Sequence, residues 1–154
     1  MAESANKQVY RRFVEEVINR GDISVIDELF HPGYTDHTAP PGLPPGTSVH
    51  DQVAGIPHLF RGAFPDLKFT IESMVEQDGW VGTRVQGEGT HTGAPFMGLE
   101  PSGRKAVWSS FGMFRIQDGK IIEHYGQPDL LGLREQLEGK SSPAQPAAPN
   151  AGEG

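Results

Sequence analysis

The apolar positions of the first twenty residues repeat at helical spacing. Val9, Tyr10, Phe13, Val14, Val17 and Ile18 share one face from Ser4 onward, and Gly21 stands where a left-handed helix end is expected. A second helix is predicted from Asp22 or Ser24, with Val25, Ile26, Leu29 and Phe30 inward, stopping at "HPGY", where Pro32 and Gly33 break the pattern. "TAPPGLPPGTS" carries four prolines and two glycines and reads as a restricted loop. A third helix is predicted from Ser48 or Val49 to Ala63, with Val53, Ile56, Phe60 and Phe64 inward and a kink at Pro57.

Beyond "FPDL" the period falls from about 3.6 to 2. "KFTIESMVEQ", "WVGTRVQGEGTH", "AVWSSFGMFRI" and "KIIEHYGQ" read as four strands, two of the joins being Asp-Gly turns. Helices first and antiparallel strands second predict an α+β domain over residues 1–138. "HTGAPFMGLEPSG" is a long connection between the second and third of these strands. The segment 139–154 has no large apolar residue and is expected to be a disordered tail.

Composition narrows the function classes. The 154-residue chain can bury about two-thirds of its unfolded surface, enough for one domain with a small-molecule cavity. A net charge of −7 without a dense Lys/Arg cluster argues against nucleic acid as a partner. The absence of cysteine removes disulfides, thiolate ligands and a cysteine nucleophile. No stretch reads as a signal peptide or a membrane span, so a cytoplasmic protein with no membrane partner is expected. No His-x-x-x-His or Glu-x-x-His pair starts a metal site, and "GEGTHTG" lies in a strand context, so no Rossmann or phosphate loop is supported.

Several motifs in order, "RRFVEEVINRGDISVIDELFHPGYTDH", "AFPDL", "GTHTGAPFMGLEPSGR" and "FRIQDGKIIEH", resemble the SnoaL-like polyketide cyclases over about residues 7 to 137. The resemblance implies a cone-shaped α+β barrel of the nuclear-transport-factor-two type, with N-terminal helices packed on a strongly bent, mainly antiparallel sheet. It also implies an apolar cavity for a hydrophobic polycyclic molecule and a homodimer through the opposite sheet face. Both parities of the third predicted strand are apolar, Val107, Phe111 and Met113 alternating with Trp108, Phe114 and Ile116.

Those cyclases close a ring by intramolecular aldol condensation without metal or cofactor, using an aspartate two residues after a histidine on the last strand. Here His124 takes the histidine's place and Gly126 the aspartate's, while Ser110 and Gly112 stand where the cyclases carry a larger polar residue and a second histidine. Gly126 cannot exchange a proton, a role typically worth about 10²–10⁴-fold in rate; it also fits a strand bend or bulge.

His124 is therefore the leading proton-handling candidate. Asp129 reads either as a substitute acid or as the N-cap of the helix in "LLGLREQL". His91 reads as a group at a cavity mouth or as a packed histidine; Asp36 and His37 read as a mutually bonded pair or as a solvated one. His31, His50 and His58 are placed at a helix end or on an exposed helix face. Trp108, Phe114, Phe96 and Met97 are candidates for the apolar wall, beside Ser110, Gly112 and Gly126.

Three functions stand at this level. The missing acid favours a hydroxylase-type tailoring enzyme acting on an anthracycline-like aromatic polyketide, with no bound cofactor and two routes open: His124 deprotonates an electron-rich phenol or enol that reacts with dioxygen directly, or a separate flavin or reductase partner supplies electrons. The second is a cyclase in which Asp129 or His37 replaces the lost acid. The third is a non-catalytic binding module.

Overall fold

The computed structural model describes residues 2–39 and 42–143. Helix α1 (Ala5–Arg12) starts at Ser4, whose hydroxyl accepts from the Lys7 amide at 3.3 Å, and its last turn is basic, as its dipole favours. The same rod continues in a wider, π-type winding over Phe13–Asn19 that buries Phe13, Val14, Val17 and Ile18. Gly21, at φ +70°, ends it.

The predicted second helix is cut short. A single 3₁₀ turn (Ile23–Val25) leads into one α-turn, α2 (Ile26–Leu29), and Phe30 already belongs to strand β1 (Phe30–Asp36). The apolar spacing carries on through Phe30, which imitates a helix face, while Pro32 and Gly33 disguise the alternation that buries Phe30 and Tyr34. Proline is tolerated because β1 is an edge strand. His31 thus lies on a strand, its Nδ1 accepting from the Gly33 amide at 2.9 Å.

Helix α3 (Val49–Ala63) has the predicted bounds. Ser48 caps it in a reciprocal pair with Asp51, and it runs unbroken through Pro57, which is buried. The four predicted strands follow as β2 (Lys68–Gln77), β3 (Trp80–Thr90), β4 (Lys105–Gln117) and β5 (Lys120–Pro128). Both Asp-Gly joins have two successive positive φ values, 53° and 80° at Asp78-Gly79, 51° and 74° at Asp118-Gly119. That is the two-residue hairpin turn which matches strand twist.

The sheet order is β1-β5-β4-β3-β2, antiparallel except for the parallel β1–β5 pair. The expected helices-on-sheet α+β architecture is present, but the five strands remain an open sheet. Ala106, Trp108, Phe114 and Ile116 of β4 point to the helix-covered inner face and join the core with Tyr10, Phe13 and Phe64. Phe111 and Met113 point the other way and are exposed. Helix α4 (Leu130–Leu137) lies beside β4 where β5 has ended: the Gln136 amide donates to the Val107 carbonyl at 2.9 Å and accepts from the Val107 N–H at 2.8 Å. Gly139 and Lys140 still bond back to this helix; of the expected tail, residues 144–154 lie outside the described residues. Among the described residues no helix is long and apolar enough to cross a membrane.

Candidate functional site

β5 is the strand on which the site is built, because it lies between β1 and β4 and takes one side chain from each. Parallel pairing sets Asp36 of β1 level with His124, and antiparallel pairing sets Phe114 of β4 level with the same residue. All three project to the inner face. The imidazole stacks on the Phe114 ring, centroids 4.3 Å apart and planes inclined by 17°. Its Nδ1 lies 3.3 Å from Asp36 Oδ1, and both side chains are largely buried, 18% and 17% exposed.

The carboxylate is held in turn. Asp36 Oδ1 accepts from the Thr38 amide at 2.9 Å and from its hydroxyl at 3.1 Å, and that hydroxyl oxygen accepts from the Gly126 amide at 2.7 Å. Burial by itself would push the Asp36 carboxyl up, but the contacts from His124 and from both Thr38 donors outweigh it and hold the carboxyl below its ordinary value. Asp36 is therefore an anion at neutral pH, facing an imidazole. With Nδ1 turned to Asp36, the other ring nitrogen, Nε2, is turned over Gly126. A neutral ring that donates Nδ1–H to the carboxylate presents the Nε2 lone pair as a base.

Two tyrosines flank this end of the core. Tyr34 is buried two residues before Asp36, and burial first, then the Asp36 charge, push its phenol far up. Tyr10 packs 4.6 Å from Phe114, and burial, outweighing the opposing influence of the Thr83 side chain, pushes its phenol up to about 12. Both are neutral at pH 7.

The remaining sequence candidates fall elsewhere. Asp129 is the N-cap of α4, its Oδ1 accepting from the Gly132 amide at 2.9 Å, the second of its two readings. His37, just past the end of β1, does not pair with Asp36: its amide still bonds the His124 carbonyl, but its ring stacks on Tyr125 at 4.3 Å and its Nε2 lies 3.2 Å from Glu123, on the outer side. His91, fully buried at 0% exposure, lies 5.5 Å from the Phe64 ring, with Nε2 against the Ala94 carbonyl at 2.9 Å. It anchors the start of the β3–β4 connection. Its neighbour pair Thr90–Lys105 is nine residues along β4 from the Phe114–His124 pair, roughly 30 Å of strand.

Trp108 is only 2% exposed, enclosed by Phe60, Phe64 and Phe69 at centroid distances of 5.4 to 6.0 Å, and Phe96 is buried beside Phe60 and Phe64. These two sit in a closed aromatic cluster. Met97 is half-buried in a tight turn closed by paired Phe96–Leu99 bonds, while Ser110 is half-buried between the cluster and the His124 end. Gly112 and Gly126 are direct partners across β4 and β5, beneath Phe114 and His124.

Asp36, which the sequence suggests only as a partner of His37, and Thr38, which it does not single out, are the neighbours of His124 that sequence reasoning missed. The available signal was the spacing in "YTDHT", which puts Tyr34 and Asp36 on one face once the segment is read as strand. The outer face is different again: a depression of about 480 Å³ lies there, lined by Val75, Trp80, Met113 and Tyr125 among others. It is separated from the His124–Asp36 pair by the sheet. Among the described residues no three His, Asp or Glu side chains converge as metal ligands would.

Known proteins share this arrangement of elements. Among characterised relatives, the aklanonic acid methyl ester cyclase DnrD of Streptomyces peucetius is 30% identical over 142 residues, 87% of this chain and 91% of its own length. The nogalonic acid methyl ester cyclase of Streptomyces nogalater is 31% identical over 121 residues, 77% of this chain and 87% of its own. Among solved structures, IdmH of Streptomyces antibioticus, provisionally assigned as a polyketide cyclase, superposes with a TM-score of 0.73 at 29% identity, over 86% of this chain and 98% of its own. AclR of Streptomyces galilaeus, provisionally assigned as a hydroxylase, superposes with a TM-score of 0.70 at 26% identity, over 90% and 83%. The family model described as SnoaL-like polyketide cyclase matches residues 8–137, and the chain belongs to that family.

Proposed function

We propose that this protein is a polyketide tailoring enzyme that closes a ring by intramolecular aldol addition on a flat, polycyclic methyl ester. The observation that carries the reading is the His124–Asp36 pair on the inner face, since it supplies the carboxylate that Gly126 lacks. Two relatives named as methyl ester cyclases support the substrate class. Inward-facing Ile56, Phe60, Ile71, Met74, Met97 and Leu99 remain partly exposed, which suits an apolar face meeting a planar ligand.

The chemistry needs one proton carrier. His124 Nε2 takes a proton from the activated methylene next to the ester, and the resulting enolate carbon attacks a ketone of the same molecule. A C–C bond forms as the C=O π bond opens to an alkoxide. The alkoxide then takes the proton back from the imidazolium, so the product is an isomer of the substrate. Asp36 holds the Nδ1–H and stabilises the imidazolium between the two transfers. Asp129 and His37 take no part.

The hydroxylase expectation is supported by the likeness to AclR and needs either direct reaction of the deprotonated substrate with dioxygen or electrons from a separate flavin or reductase. Its ground in the sequence is the acid missing at Gly126, and the Asp36 carboxylate beside His124 supports the cyclase in its place. One assay separates the readings: purified protein with aklanonic or nogalonic acid methyl ester, with and without dioxygen and a flavin reductase, followed by mass spectrometry. A new isomer of unchanged mass, independent of oxygen, is the expected result. A product one oxygen heavier establishes hydroxylation instead, and a ligand retained unchanged establishes a binding module.

We also propose that the outer sheet face pairs two copies of the chain. Phe111 is 56% exposed there, beside exposed Val75, Met113 and Tyr125 and the depression they border. Sedimentation of wild type and Phe111→Glu tests it: a dimer that the variant converts to monomer is expected, and a monomeric wild type ends the proposal.

A further inference from the structure

At Gly126 the backbone makes no demand for glycine. Its φ is not positive, unlike that of Gly119 or Gly139, and extended backbone of this kind accepts any side chain. What forbids one is the imidazole two residues earlier. A Cβ on residue 126 would lie 2.7 Å from His124 Nε2 and 2.8 Å from Cε1. The ring has little freedom to yield, because one face is stacked on Phe114 and Nδ1 is turned to Asp36. The facing residue repeats the arrangement: a Cβ on Gly112 would lie 2.8 Å from Phe114 Cε2. Two stacked rings therefore lean over two bare positions that are cross-strand partners.

We propose that Gly126, supported by Gly112, is a positioning residue for His124: its missing side chain is the space in which Nε2 sits, and its amide fixes Thr38 against Asp36. Residue 126 thus acts on the pair from two directions, by vacancy beneath the ring and by the hydrogen-bonded path Gly126 N–H to Thr38 Oγ1 to Asp36 Oδ1. A carboxylate at 126 and the Asp36-held imidazole exclude one another sterically. Restoring an aspartate at this position displaces His124, and the resulting chain loses activity instead of gaining it.

The inference rests on the cyclase reading for its kinetic consequence but not for its structural one, so two readouts are used. In the first, ¹⁵N-edited imidazole spectra of the full chain identify His124 among six histidines by comparison with His124→Gln. Wild type shows the Nδ1–H form; Gly126→Ala and Gly126→Asp lose that signature, whereas Gly55→Ala, where an added Cβ meets nothing within 4 Å, keeps it. In the second, turnover of the methyl ester falls on the order of 100-fold in kcat for Gly126→Ala, with a smaller change in KM.

A folded Gly126→Ala chain whose His124 signals match wild type overturns the proposal, whatever the reaction is. If Gly126→Ala does not fold, Gly112→Ala decides by the same spectra, because crowding Phe114 shifts the ring stacked on it; unchanged signals there overturn the proposal equally. Absence of any turnover by wild type, with the spectral result intact, removes the cyclase reading alone.

Discussion

The inner face of β4 has two ends that use the same device for different purposes. At one, the Trp108 indole lies flat over Gly87, whose added Cβ would be 2.5 Å from the ring, and phenylalanines close around it. At the other, six residues and roughly 20 Å of strand away, the His124 ring lies over Gly126 and meets a carboxylate. Both ends lay a ring on a bare glycine. The first surrounds the ring with carbon, as a core does; the second leaves a nitrogen facing a chain of hydrogen bonds, where we propose the chemistry takes place. On the proposed function, stability and reactivity are assigned to opposite ends of one face.

Breaking one end at a time tests this separation. The largest effect is expected from His124→Ala: turnover falls about 10²–10⁴-fold, the usual worth of a general base, while denaturant midpoints move little. Trp108→Ala should do the reverse, destabilising the fold by about 3–5 kcal/mol in urea titrations, with activity of the remaining folded fraction largely kept. If Trp108→Ala lowers kcat as much as His124→Ala, the two ends are not separable.

Asp36→Asn sharpens the same contrast with a smaller change, a loss of about 10–100-fold in kcat from a misoriented imidazole. It also carries a pH signature. The folded Asp36 carboxyl titrates below its unfolded value of about 3.9, so its contribution to stability is present above that pH and is lost as pH falls through the depressed folded value. The stability gap between wild type and Asp36→Asn should accordingly close as pH is lowered below about 3.9, as followed by urea midpoints. The smallest effect is expected from Asp129→Ala: about 1 kcal/mol of stability from the lost α4 cap, with turnover unchanged. Loss of activity there would return Asp129 to the reaction.

How much of this was legible follows from how local each signal is. The first helix, α3, β2 to β5 and both Asp-Gly turns are written in contiguous periodicity and turn chemistry, and they stand where the sequence puts them. β1 was hidden because its first residue completes a helical spacing and Pro32 and Gly33 interrupt its alternation. With β1 unread, no local pattern joins Asp36 to His124, since the two meet only through parallel pairing across 88 residues of chain. Gly126 was readable as an absent acid but not as room for a ring, because the ring that fills it comes from the same strand two positions earlier.

The Gln136 amide has a consequence for solubility. β5 stops at Pro128, opposite Ser110, so the remainder of β4 on that side would present unpaired backbone groups, the usual template for intermolecular strand addition. At Val107 that vacancy is filled by a side chain that offers one donor and one acceptor, as a peptide unit would. With the Asp129 amide donating to the Ser109 carbonyl at 2.9 Å, one helical side chain and one helix cap stand in for a strand at these positions, and a foreign β-strand would have to displace both.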